Sequence, residues 1–158
     1  MKIDIICVGK IKENFYKDAV GEYLKRLSGY ANVSIIEVAD EPTPESASEK
    51  QMTQIKDKEG ERILSKLGNS YVVALEIQGK KFHSEGLADK IEKLSINGTS
   101  HIAFVIGGSL GLSRAVLDRA DLRLSFSDMT FPHQLMRVIL LEQIYRSYRI
   151  INKEPYHK

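Results

Sequence analysis

Three stretches of this chain gather residue types that do chemistry. The first is a glycine run, Ile106-Gly107-Gly108-Ser109-Leu110-Gly111, at the end of an apolar β-branched segment. The second is Ser125-Phe126-Ser127-Asp128-Met129-Thr130-Phe131-Pro132-His133-Gln134, which leads into a long apolar helix pattern. Glycine lets backbone approach a ligand closely and admits positive φ. The two junctions therefore read as two walls of one small-molecule pocket. Taken alone, the glycine run is neither a Walker loop, having no Gly-Lys-Ser/Thr, nor a dinucleotide fingerprint; a structural tight turn explains it as well as a ligand loop does. The third stretch is the tail, Glu154-Pro155-Tyr156-His157-Lys158, whose ionisable groups can deliver a base or a cation to such a pocket.

Other chemistries find little support. The four histidines, His83, His101, His133 and His157, are scattered, and the lone Cys7 has no partner at metal-ligand spacing, so no metal is expected. Cys7 lies in the apolar run Ile5-Ile6-Cys7-Val8 and reads as a small buried hydrophobe. No Gly-x-Ser-x-Gly elbow is present, which disfavours covalent hydrolysis. A pocket of backbone, small residues and apolar side chains suits an organic cofactor that brings its own reactivity.

These stretches need elements to hold them. At 158 residues the chain suits one domain, residues 1–158. With 42% hydrophobic and 28% charged residues it reads as a globular cytoplasmic protein. No signal peptide is legible, because Asp4 interrupts the first apolar run, and no stretch reaches the ~20 apolar residues that span a bilayer. The net charge of +2 does not announce a nucleic-acid binder, although residues 133–158 carry a formal +3 that can meet phosphates. Five strands are predicted, at Ile3–Val8, Val33–Val38, Tyr71–Glu76, His101–Ile106 and Leu122–Phe126. Most are near-continuous apolar runs, the pattern of a parallel sheet covered on both faces. Helices are expected between them. The first carries a stripe of Phe15, Ala19, Tyr23 and Leu27 and ends near Gly29; the others lie within 45–67, at 84–95, at 113–120 with Ser113 as N-cap, and at 132–150 behind Pro132. Alternation of strands and helices implies an α/β fold with a mostly parallel sheet of five to six strands and helices on both faces. The polar segment 39–62, broken by Pro42 and Pro44, is either a solvated loop and helix or a flap beside the pocket. The last helix is apolar over more than one face, which predicts a homodimer interface.

Four blocks together resemble a known family. Phe104-Val105-Ile106-Gly107-Gly108-Ser109-Leu110-Gly111, Phe131-Pro132-His133-Gln134-Leu135-Met136-Arg137, Leu141-Glu142-Gln143-Ile144-Tyr145-Arg146 and Pro155-Tyr156-His157-Lys158 are similar to the ribosomal RNA large-subunit methyltransferases H, of the SPOUT class. The likeness extends to the opening Val8-Gly9-Lys10-Ile11-Lys12. It implies S-adenosylmethionine as methyl donor, a pseudouridine of 23S rRNA methylated at N3 as acceptor, a C-terminal trefoil knot, and a homodimer with the pocket near its interface. By motif, Leu75, Gly107, Phe126, Ser127, Asp128, Met129, Thr130 and Phe131 would hold the cofactor. The resemblance also places a glycine where Lys153 stands, and a turn needing positive φ would be strained by lysine.

Methyl transfer to an imide-like nitrogen needs alignment and loss of a proton. His157 is expected to be the base or a proton relay, and Arg146 to stabilise the developing anion or a phosphate. Tyr156 is expected to stack on the base or to hydrogen-bond to it. Glu142 should pair with Arg146 four residues on, and Arg137 should bind a carboxylate or a phosphate. His133 reads as a structural residue bonding a loop carbonyl. The rival reading is a non-catalytic nucleotide- or ribosome-binding module with a flavodoxin-like sheet.

Overall fold

In the computed structural model, which describes residues 1–158, five strands alternate with five helices. They are β1 (Lys2–Val8), α1 (Asn14–Leu27), β2 (Asn32–Val38), α2 (Glu49–Leu67), β3 (Tyr71–Lys81), α3 (Ser84–Ile96), β4 (His101–Ile106), α4 (Arg114–Arg119), β5 (Leu122–Ser125) and α5 (His133–Ile151). The strands form one sheet in the order β2-β1-β4-β3-β5, and every pairing is parallel. The sheet therefore has five strands, the lower of the two numbers expected. No helix is long and apolar enough to cross a membrane.

Successive residues of a strand point to opposite faces, and β1 shows how this splits the core. Ile3, Ile5 and Cys7 pack with Leu27, Leu87, Ile91, Phe104, Leu140, Leu141 and Ile144 on the face of α1, α3 and α5. Ile6 and Val8 pack with Ile63, Leu67, Val72, Ala74 and Val116 on the face of α2 and α4. Both faces of the central strands are covered, which is why they read as unbroken apolar runs. A fully buried side chain such as Phe104 contributes about 1.5–3 kcal/mol.

Local signals set most of the boundaries. Ser113 caps α4, its hydroxyl accepting from the Val116 N–H at 3.3 Å. Ser48 caps α2 through a capping box with Gln51. Pro132 stands at the N-cap of α5. α1 ends near Gly29 as expected, with Ser28 at its C-cap, but Phe15 of the predicted stripe, in the first turn, is 64% exposed.

β3 outruns its apolar pattern by five residues and slips against β5. Leu75 and Lys80 both register on Leu124, so residues 76–79 bulge away from the ladder. Gly79 presses on β5 there: an added Cβ would stand 2.6 Å from the Arg123 carbonyl oxygen. The bulge turns Glu76 and Ile77 toward the carboxyl ends of the strands.

Candidate functional site

The carboxyl ends of β3, β4 and β5 enclose a cleft of about 490 Å³. Open parallel sheets bind ligands at this edge, and the volume suits a small organic molecule. One wall is the glycine turn after β4. The Gly111 N–H donates to the Gly108 carbonyl at 3.1 Å, with Gly111 at φ 88°. Gly107 is obligatory by space: a Cβ there would lie 2.9 Å from the Gly111 carbonyl carbon. The opposite wall is the segment after β5, fixed by its own serines. The Ser125 hydroxyl donates to the Ser127 carbonyl at 3.2 Å, and the Ser127 hydroxyl accepts from the Met129 N–H at 3.0 Å.

Of the eight residues assigned to cofactor binding, Leu75, Gly107, Phe126, Ser127, Met129, Thr130 and Phe131 line this cleft. Asp128 does not. Its carboxylate points outward and pairs with Lys81 at 2.6 Å. Sequence reasoning missed Ile77 and Lys56 of the lining: Ile77 arrives through the bulge, and Lys56 projects from α2, in the polar segment that offered a loop or a flap. His133 stands on the cleft wall and bonds no loop carbonyl.

The second cluster is built on α5, α3 and the tail. Arg146 donates to both oxygens of Glu142, at 3.2 and 3.0 Å. The Tyr156 hydroxyl donates to the same carboxylate at 2.7 Å, and its ring lies 4.7 Å from the Arg146 guanidinium. That hydrogen bond to Glu142, with some burial, pushes the Tyr156 phenol up to about 12, so it remains a donor. His157 sits between two groups: Nδ1 is 3.2 Å from Arg146 Nη1 and Nε2 is 2.8 Å from Glu85 Oε1. The three residues assigned to catalysis are thus brought together.

They are not brought to the cleft of their own chain. His133 and Met136 line the cleft, whereas Arg146 lies 10 residues beyond Met136, about 15 Å along a straight helix. No tail residue lines the cleft. The expectation that the tail reaches the pocket therefore fails within one chain, because α5 is a rigid spacer between them.

A third group supports the cleft from behind. Arg137 is fully buried, and its guanidinium donates to Glu37 Oε2 and to the Gly9 carbonyl, each at 2.7 Å. Glu37 also accepts from the Ile11 N–H at 3.1 Å, and Gln134 accepts from the Lys12 N–H at 3.2 Å. The start of α5 thus holds the β1–α1 loop beside the cleft. Arg137 binds a carboxylate, as one of its two expected partners. Cys7 is buried nearby, and burial pushes its thiol up to about 12, which removes it as a nucleophile. No cluster of His, Cys, Asp and Glu can hold a metal ion.

Comparison with known proteins agrees with this architecture. The profile of a family described as predicted SPOUT methyltransferase matches residues 1–157. A ribosomal RNA large subunit methyltransferase H of Bacillus pumilus is 60% identical over 159 aligned positions, covering 100% of both chains. A protein of the same name from Bifidobacterium animalis subsp. lactis is 61% identical with the same coverage. Among solved structures, a probable methylase family protein of Haemophilus influenzae superposes with a TM-score of 0.57 at 13% identity, over 99% of this chain and 70% of the other. At that identity the likeness speaks for the fold alone.

Proposed function

This chain belongs to the SPOUT methyltransferase family, and from that premise we propose that it methylates large-subunit ribosomal RNA, at N3 of a pseudouridine in 23S rRNA, on assembled ribosomes. We take residues 1–158 as one catalytic domain with its C-terminal segment knotted, as the family resemblance implies.

The observation that carries this reading is the cleft. Leu75, Ile106, Leu110, Phe126 and Met129 offer apolar walls, and the Gly107 turn offers backbone with no side chain in the way. S-adenosylmethionine fits such walls: its adenine has apolar faces and a hydrogen-bonding edge, which exposed backbone can satisfy. When bound, it supplies an electrophilic methyl group on a sulfonium. The chain's own residues then hold the cofactor at the strand ends, exclude water from its faces, and receive the acceptor's proton.

The proton receiver is the tail. His157 has a ring nitrogen to accept the N3 proton, and Arg146 beside it has the charge to steady the imide anion as it forms. Because about 15 Å of α5 lies between the cleft residue Met136 and Arg146, the reading requires two copies, with the tail of one serving the cleft of the other. Met129 and Ile77 support this. Both line the cleft, yet they are 74% and 40% exposed, apolar surface for a second copy or a bound base to cover. Lys56 on the cleft, with Lys10 and Lys12 on the adjoining loop, supplies cations for RNA phosphates.

The test is transfer of labelled methyl from S-adenosylmethionine to ribosomes lacking the modification, followed by mapping. Label at N3 of one pseudouridine is expected, with a loss of at least ~100-fold in His157→Ala. Cofactor binding without transfer to any ribosomal RNA would overturn the reading in favour of a binding module.

A further inference from the structure

The tail histidine has a partner that neither motif nor family likeness singled out. Glu85 lies in the first turn of α3, 72 positions before His157 in sequence, and its Oε1 is 2.8 Å from His157 Nε2. A carboxylate is favoured at this end of a helix, where backbone N–H groups point outward. Hydrogen bonding to its own backbone N–H, and then to His157, holds the Glu85 carboxyl below the usual range. It is therefore charged at neutral pH and can only accept. On the other side of the ring, Arg146 Nη1 can only donate, at 3.2 Å from Nδ1. The two contacts agree on one state of the imidazole, with hydrogen on Nε2 and a lone pair on Nδ1.

We infer that Glu85 is a positioning residue for His157: it fixes the Nε2–H tautomer and leaves Nδ1, on the Arg146 side, as the atom that takes the proton from the methyl acceptor. This rests on the proposed rRNA methylation, and it assigns that reaction a residue on α3. In the step, the N3 proton passes to Nδ1 as Arg146 moves onto the forming anion. The nitrogen pair takes the methyl group, and the pair of the breaking carbon–sulfur bond stays on sulfur. His157 is then a cation with both nitrogens protonated, and the Glu85 carboxylate faces it. A carboxylate that orients a histidine and steadies its protonated form is a recurrent arrangement for general bases. It is also anchored differently from the base: Glu85 belongs to a helix whose Leu87 and Ile91 are buried in the core, while His157 belongs to the tail.

Two measurements test this. The first needs no turnover. Nitrogen-15 correlation spectra of the four histidine side chains in the purified protein should show His157 as the Nε2–H tautomer, and Glu85→Gln, whose amide can donate as well as accept, should mix the tautomers. A wild-type His157 carrying its hydrogen on Nδ1 overturns the inference. The second is methylation of unmodified ribosomes. Glu85→Gln should remove part of the roughly 100-fold or greater contribution of the base with cofactor affinity unchanged, Glu85→Asp should recover part of the rate, and Glu85→Gln should cost nothing further in a His157→Ala background. Loss of rate in His157→Ala with a wild-type rate in Glu85→Gln overturns this inference alone. A wild-type rate in His157→Ala overturns it together with the base role of His157, whereas absence of transfer by the wild-type protein overturns the parent reading.

Discussion

Glu59 is 5% exposed, set between the 39–41 segment and the glycine turn, where its carboxylate would meet a Gly108 Cβ at 3.2 Å. Burial raises its pKa, and Asp40 and Glu41 add to the rise, against the Glu41 N–H bond and Arg62, which lower it. A carboxyl whose folded pKa is raised contributes stability below its unfolded pKa and loses it as pH rises through the folded value. At neutral pH Glu59 therefore costs stability, while helping to fix a wall of the cleft. Glu59→Gln keeps an oxygen for the Glu41 N–H and removes the charge. Its urea midpoint should exceed wild type at pH 8, and the gain should shrink toward pH 4; a gain of equal size at both would reject the electrostatic cause. Arg137 shows the opposite design, a fully buried cation with a carboxylate and a carbonyl on its two terminal nitrogens. Removing one side of such a pair usually costs about 3–5 kcal/mol.

Among the elements, α5 carries most of the site's geometry, and its end is strained. After the C-cap Asn152, the Lys153 N–H bonds the Ile150 carbonyl and the Glu154 N–H bonds the Arg149 carbonyl, at 3.0 and 2.8 Å. This is a Schellman ending, whose turn residue adopts positive φ. Lys153, at φ 55°, is the non-glycine residue with positive φ in the chain. A side chain in that region costs about 1–2 kcal/mol, part of which glycine would return as unfolded-state entropy. Lys153→Gly should raise stability by about 0.5–1 kcal/mol in urea titration, and an unchanged or lower midpoint would reject the strain. The turn sends the chain back along α5. Arg149 is bonded to the Pro155 carbonyl and paired with Glu154 at 2.5 Å, and Tyr30 bonds the same Glu154 carboxylate. These contacts place Tyr156 and His157 over Glu142 and Glu85.

For the whole molecule the governing fact is separation. One end of α5 lines the cleft and the region of its other end holds the tail cluster, so the proposed chemistry is complete only across two copies. Sedimentation should report twice the chain mass at micromolar concentration. A stronger check is complementation. A cleft variant such as Gly107→Val and the tail variant His157→Ala should each be nearly inactive on ribosomes. After mixing and subunit exchange, activity should return to about a quarter of wild type, because half of the dimers are mixed and each mixed dimer has one intact pairing of cleft and tail. No recovery after demonstrated exchange would reject the shared site.

The sequence by itself determined the order of strands and helices, the cap at Ser113 and the start of α5 beside Pro132, because these depend on local chemistry: side-chain period, backbone freedom and turn composition. Seven residues of the cleft lining were named through the family resemblance of their motifs. The sequence also carried the Glu142–Arg146 pair, which helical spacing alone brings together. Tertiary structure decided the rest. The four-residue bulge in β3 leaves no periodic trace, since it depends on how β5 lies against it, and it brings Ile77 to the cleft and leaves no room at Gly79. Asp128 belongs to a cleft motif yet turns to Lys81, a partner supplied by a different strand. Glu85 meets His157 only because α3 packs on α5. The distance between tail and cleft is set by the length of a rigid helix, which no motif records. Short-range physics fixes which residues can do the work, and packing at long range fixes which of them meet.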